Sequence, residues 1–222
     1  MVTTPWLLQL LNFCAAGLLL LSFAMLSQRR VVTLVNLLAI QGALLCIATL
    51  LLAWRTNQHH LYISAGLTLG LKVIFLPWLL HRLIRRLDVY WDTEPLINTS
   101  TTMLLGLLIV IFAFGLAQPI AALANTAARS TLGIAIAVIL LAFMTMITRR
   151  KAMSQVIGFL SMENGLFFGA MSATYGMPMV VELGVALDVL VAMLVLGVFF
   201  FQIREQFDSL DLHHLESLKE KT

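Results

Sequence analysis

The chain has 222 residues, of which 60% are hydrophobic and 11% charged, and its mean hydropathy is +0.96. A soluble domain holds roughly 25% charged residues, so this composition excludes a water-soluble globular domain and points to a polytopic membrane protein. The formal net charge of +3 decides little, because in such a chain the placement of the cations matters more than their sum.

A helix crosses a bilayer with about 20 mostly apolar residues. Seven segments meet that length: Trp6–Leu26, Val31–Trp54, Leu61–Leu80, Thr99–Ile120, Thr131–Ile147, Ser154–Tyr175 and Met179–Phe201. The fifth is the shortest, and its start extends back toward Asn125. Helices apolar on all sides do not make a soluble bundle, and no alternating pattern argues for a barrel. The expected fold class is therefore all-α, a membrane bundle of about seven helices. It reads as one membrane domain over residues 1–222, divisible at 6–86, 87–125, 126–203 and a tail at 204–222. The N-terminus lacks the positive region of a signal peptide, so the first span is expected to be retained. Cys14 and Cys46 lie inside apolar runs without a CxxC pairing, which predicts buried thiols and neither a disulfide nor a metal site.

Cations set the orientation. Arg29 and Arg30 follow the first span, Arg82, Arg85 and Arg86 the third, and Arg149, Arg150 and Lys151 the fifth. Arg204, Lys219 and Lys221 lie in the tail, so eleven of fourteen fall on one side. Only Arg55 and Arg129 fall on the other, and Lys72 lies within the third span. This asymmetry predicts an N-terminus outside and a C-terminus in the cytoplasm.

A repeat is also visible. Leu21 to Arg30 aligns without a gap on Leu141 to Arg150, and with two inserted residues Gln41-Gly42 falls opposite Glu163-Asn164. This suggests two parallel three-helix units, spans one to three and five to seven, with the fourth restoring orientation. Residues 87–98 form the one sizeable polar loop, with Asp88, Asp92 and Glu94 beside Trp91; a solvated loop is the default and a docking surface the sharper alternative. In the tail, Leu210, Leu212, Leu215 and Leu218 are spaced for a short amphipathic helix. The pairs His59-His60 and His213-His214 lack any further metal-ligand spacing.

Three ionisable residues lie where charge is expensive. At about 1.5 Å per residue, Glu163 and Asp188 each fall about 15 Å from a membrane face, and Lys72 falls about 18 Å from the outer one. Half of an approximately 30 Å hydrocarbon core is the same depth. Burial favours the neutral form of each group and mutual proximity the charged form, so an acid and an amine held together can exchange a proton through small changes in geometry. Such a layer is either a proton relay or a static ion pair that fixes helix register. Gly66/Gly70 and Gly165/Gly169 are small-residue pairs suited to close helix packing. Pro77 cannot donate to Val73, which predicts a kink and a released carbonyl there. Glu182 falls near the outer interface as an auxiliary or exit group. Asn36 and Gln41 add polar groups where spans one to three would meet.

The last three spans, with their Arg149-Arg150 turn, Ile157-Gly158-Phe159, Met162-Glu163-Asn164 and Asp188, resemble the small three-helix NuoK subunit of respiratory complex I and the MrpC-type antiporter subunit. The whole chain, with Lys72-Val-Ile-Phe-Leu-Pro77 and Phe159-Leu-Ser-Met-Glu163-Asn164-Gly165, is similar to the hydrogenase-4 component E (HyfE) family. By that resemblance Asp188 matches the acid of the last NuoK helix. The other NuoK acid directly follows a Gly-Leu step, where this chain has Leu160, and Glu163 stands three residues later on nearly the same helix face. Lys72 fits the component E pattern.

The resemblance implies a non-catalytic subunit of an energy-converting [NiFe]-hydrogenase, formate hydrogenlyase or related complex in the prokaryotic inner membrane. Its partners would be antiporter-like and quinone-chamber-like membrane subunits and peripheral hydrogenase-type and iron–sulfur subunits. Nickel–iron and iron–sulfur centres would reside in those partners, with no cofactor in this chain. Asp188, Glu163 and Lys72 would carry protons or sodium ions, with Gln41 and Glu182 auxiliary. A structural bridge with the charges as register pins, or a stand-alone transporter, are the competing readings.

Overall fold

A computed structural model describes residues 5–56, 59–87, 97–123 and 126–174, together with Leu190, Met193 and Gly197. The described chain is helical: α1 (Pro5–Ser27), α2 (Val31–Thr56), α3 (His59–Thr68), a π-helical segment (Leu69–Phe75), α4 (Leu76–Leu87), α5 (Thr99–Leu123), α6 (Thr126–Thr148) and α7 (Ala152–Thr174). Helix α3, the π segment and α4 run on as one rod, so the described residues hold six spans of membrane-crossing length and apolarity. They match the first six sequence-derived spans, and α6 begins at Thr126, as the extension toward Asn125 predicts. Of the seventh span only Leu190, Met193 and Gly197 are described, and Asp188, Glu182, the acidic residues of the polar loop and the tail lie outside the described residues. The chain divides into two compact units, Met1–Ala186 and Leu187–Thr222. Of the second, Leu190, Met193 and Gly197 are helical, with Leu190 and Met193 exposed.

The core of the first unit is shared by α1, α2, α6 and α7. Leu11, Cys14, Ala15 and Leu18 of α1 meet Leu45, Ala48 and Leu52 of α2, Ala135 and Val138 of α6, and Phe167, Phe168 and Met171 of α7. Cys14 and Cys46 are both buried free thiols. Helix α1 packs on α6 and α2 on α7, so segments equivalent in the sequence repeat face one another. Helix α5 lies outside, against α1 and α6, and the α3–π–α4 rod packs on α2.

Close approach along the α6–α7 seam depends on glycine. A Cβ at Gly165 would stand 2.8 Å from Val138 Cγ1 and 3.3 Å from the Ile139 nitrogen, and one at Gly158 would stand 2.8 Å from Met146 Cγ. Between apolar helices in lipid, such packing replaces the hydrophobic drive available in water. The Gly66/Gly70 pair behaves otherwise: nothing described lies within 4 Å of a Cβ at either position, so these glycines open no seam between the described helices. At the arginine-rich end, the buried Arg149 guanidinium donates to the Leu26 and Gln28 carbonyls, at 3.0 and 2.5 Å. A helix end has carbonyls without intrahelical partners and a partial negative charge, and Arg149 answers both for α1.

Next to Pro77 the rod departs from plain α-helix. The rod widens into π geometry over Leu69–Phe75, with the Leu76 amide donating to the Leu71 carbonyl five residues back. Pro77, in the first turn of α4, has no N–H with which to continue that register. The wide segment also settles the buried face. Ser64, Thr68, Lys72, Leu76, Leu80 and Ile84 are all buried at a strict four-residue spacing. In a pure α-helix each such step drifts by about 40°, and the wide turn takes part of that drift back.

Gly165→Val is expected to destabilise the protein by about 1–3 kcal/mol through overpacking against Val138 and Ile139. Gly66→Ala should leave stability unchanged or slightly raised, because it adds a helix former where nothing is met. Thermal unfolding followed by fluorescence-detected size exclusion distinguishes the two.

Candidate functional site

The site lies where the rod crosses α2 and α7. Lys72 sits in the π segment, 4% exposed, and its Nζ donates to Glu163 Oε1 at 3.0 Å and to Asn164 Oδ1 at 3.1 Å. Glu163 is 1% exposed and is the partner in the salt bridge. The Phe167 ring, one turn further along α7, stands 5.5 Å from Nζ and offers its negative face. A Cβ at Gly42 would lie 3.3 Å from Lys72 Cβ and 3.4 Å from its carbonyl oxygen, so glycine lets α2 rest directly on the π turn.

Beyond Lys72 runs a chain of hydrogen bonds with one direction. Asn164 Nδ2 donates to Gln41 Oε1 at 3.3 Å, Gln41 Nε2 to Ser22 Oγ at 2.9 Å, and Ser22 Oγ to the Leu18 carbonyl at 2.9 Å. The last acceptor cannot donate, so Ser22 must accept from the Gln41 nitrogen, which turns the Gln41 oxygen toward Asn164. The Asn164 oxygen is thereby aimed at Lys72. A backbone carbonyl on α1 thus orients, through two amides, a ligand of the lysine on the far side of α2. Ser22, Gln41 and Asn164 are all buried, so every link lies in apolar surroundings where misplaced donors are costly.

Lys72, Glu163 and Gln41 therefore come together. Gln41 reaches across to α7 and joins α1, α2 and α7 rather than spans one to three alone. Asn36 is exposed and takes no part. Asn164 and Ser22 were missed as participants by sequence reasoning. Their signals are present as an amide directly after Glu163 and a hydroxyl in the apolar run of α1. Asp188 and Glu182 lie outside the described residues. Among the described residues no three of His, Cys, Asp and Glu cluster as metal ligands.

The arrangement suits proton exchange and charge positioning. A carboxylate oxygen 3.0 Å from an ammonium nitrogen is within direct transfer distance, and the product pair, amine and carboxylic acid, is neutral. The amides of Asn164 and Gln41 hold no readily released proton, so they position the lysine rather than carry charge onward. On the other side of Lys72, buried Thr68 and Ser64 continue the polar face of the rod at one-turn intervals.

No protein-family model and no solved structure matches the chain significantly. The uncharacterized protein Rv0085 of Mycobacterium tuberculosis is 36% identical over 212 residues, covering 95% of this chain and 96% of that protein. Hydrogenase-4 component E of Escherichia coli K12 is 26% identical over 148 residues, covering 67% of this chain and 68% of that protein, and the Shigella flexneri component E matches to the same extent. With identity at that level over nearly the full length of both, the chain belongs to one family with the mycobacterial protein, and it shares a more distant similarity with hydrogenase-4 component E.

Proposed function

We propose that this chain is a non-catalytic integral membrane subunit of an energy-converting redox complex of the hydrogenase-4 type, in a prokaryotic inner membrane. Its buried charges carry part of a proton path, or a sodium path, driven by electron transfer in partner subunits. The observation that carries this reading is the 3.0 Å Lys72–Glu163 contact, sealed from solvent on the membrane-spanning rod. The distant similarity to a hydrogenase-4 component supports the setting. In this reading Lys72 and Glu163 exchange a proton, Asn164 and Gln41 hold the lysine during exchange, and Thr68 and Ser64 line one approach. Asp188 is the second acid, and Glu182 an exit group. Partners are antiporter-like and quinone-chamber-like membrane subunits, with peripheral hydrogenase-type and iron–sulfur subunits holding the redox centres.

One observation favours a second reading. The amide chain from Leu18 to Lys72 is continuous and directional, as a fixed register pin between α1, α2, α7 and the rod would require. The two readings part on energetics. Removing one member of a buried ion pair typically costs about 3–5 kcal/mol, whereas replacing both by apolar groups is often neutral.

Lys72→Met, Glu163→Gln and Asp188→Asn are each expected to abolish ion pumping by the reconstituted complex while electron transfer to a soluble acceptor continues. Unchanged pumping in all three would sink the relay. A double-mutant cycle on Lys72→Met and Glu163→Leu addresses the pin: the double variant should regain the stability lost by either single variant, yet remain uncoupled. Restored pumping in the stable double variant would show that the pair only sets register.

A further inference from the structure

The inner end of the rod carries a second feature that proton exchange does not use. Leu76, Leu80, Leu83 and Ile84 of α4 are buried, so this face is taken by the protein. The opposite face is exposed and changes character abruptly along its length. Ile74, Phe75 and Trp78 are 62%, 36% and 54% exposed, and directly beyond them come exposed Arg82, Arg85 and Arg86. With Trp78 and His81, the three arginines line a cleft of about 380 Å³.

Depth identifies the level at which this cleft lies. Arg82 to Arg86 stand ten to fourteen residues beyond Lys72, or about 15–20 Å along the helix. If Lys72 is at the midplane, half of an approximately 30 Å hydrocarbon core brings the arginines to the headgroups. The cations are also partly oriented. The Arg82 guanidinium lies 5.3 Å from the Trp78 ring centroid, held by the ring's negative face. His81 Nδ1 is 2.8 Å from the Pro77 carbonyl, which can only accept, so Nδ1 carries the proton and Nε2 is left as an acceptor for a hydroxyl of a ligand.

We propose that this cleft binds the headgroup of an anionic phospholipid. Its phosphodiester is held by Arg82, Arg85 and Arg86, a headgroup hydroxyl donates to His81 Nε2, and an acyl chain lies along Trp78, Phe75 and Ile74. Guanidinium forks match phosphate oxygens in geometry as well as charge. The exposed apolar strip continuous with the cations favours a lipid over an acidic protein surface or a free anion, neither of which needs that strip. Basic pockets at the cytoplasmic ends of membrane helices recognise anionic lipids by this combination.

The test is native mass spectrometry of the full-length protein in detergent, titrated with phosphatidylglycerol or phosphatidylcholine. One phosphatidylglycerol adduct should be retained at least about ten-fold more strongly than phosphatidylcholine, each paired arginine contributing about five-fold near an anionic surface. Arg82→Gln/Arg85→Gln/Arg86→Gln should bring the two lipids to parity. Trp78→Ala/His81→Phe keeps the three arginines, and with them the insertion signal, and should weaken the adduct about three-fold through the lost ring contact. Equal retention of both lipids by the unaltered protein overturns the proposal, as does selectivity unchanged in both variants. Displacement of the adduct by millimolar inorganic phosphate would make this a free-anion site. Loss of a co-purifying subunit from the triple variant, with lipid retention unchanged, would assign the face to a protein neighbour.

Discussion

The placement of an ammonium beside a carboxylate in apolar surroundings is the constraint on which the rest of this structure depends. Neither charge is tolerable there alone, because desolvation of each costs several kcal/mol and only close mutual approach with further hydrogen bonds repays it. Each neighbouring feature follows from meeting those terms. The π turn points Lys72 inward, Gly42 removes the side chain that would keep α2 off that turn, and Asn164 supplies a second oxygen to the ammonium. The amide of Asn164 is in turn aimed from α1, through Gln41 and Ser22. Four stretches of chain far apart in sequence are thus tied to one nitrogen atom.

Such a site needs a rigid frame. The α6–α7 seam provides it where Gly158 and Gly165 let backbones approach within side-chain distance. Arg149 draws the end of α1 onto the turn before α7, so the helix carrying Ser22 and the helix carrying Glu163 share a common anchor. Packing density in the core of α1, α2, α6 and α7 then transmits small shifts rather than absorbing them. The Lys72–Glu163 pair sits where these elements meet, and its hydrogen-bond network reaches α7, α2 and α1.

Much of the frame was legible in advance because membrane insertion imposes a strong rule: about 20 apolar residues must stand together, and the first six spans follow it closely. The shared depth of Lys72 and Glu163 was legible for the same reason, since helix rise converts sequence number into height. Azimuth was not. Nothing in the apolar run around Leu69–Phe75 announces a π segment, and Pro77 alone suggested a kink with a released carbonyl. The Gly66/Gly70 pair had the spacing of a packing motif and faces no seam among the described helices, whereas the pair at Gly165 and Gly169 has the same spacing and does pack. Asn36 and Gln41 are both polar residues of α2, yet one is exposed and the other fully buried.

By itself, then, the sequence determined that the chain is a bundle of membrane-crossing helices, where the first six spans lie, which ends of those spans carry the cations, and that Lys72 and Glu163 share a level. These are one-dimensional properties, set by apolar length and by rise along a helix. Only the tertiary structure decided that the two residues touch, that Asn164 is the second ligand of the ammonium, and that a hydroxyl on α1 orients it. Those facts depend on which way each helix is turned about its axis and on which helices are neighbours. In a chain whose helices are apolar on every side, the residue pattern has almost no preferred face from which that rotation could be read.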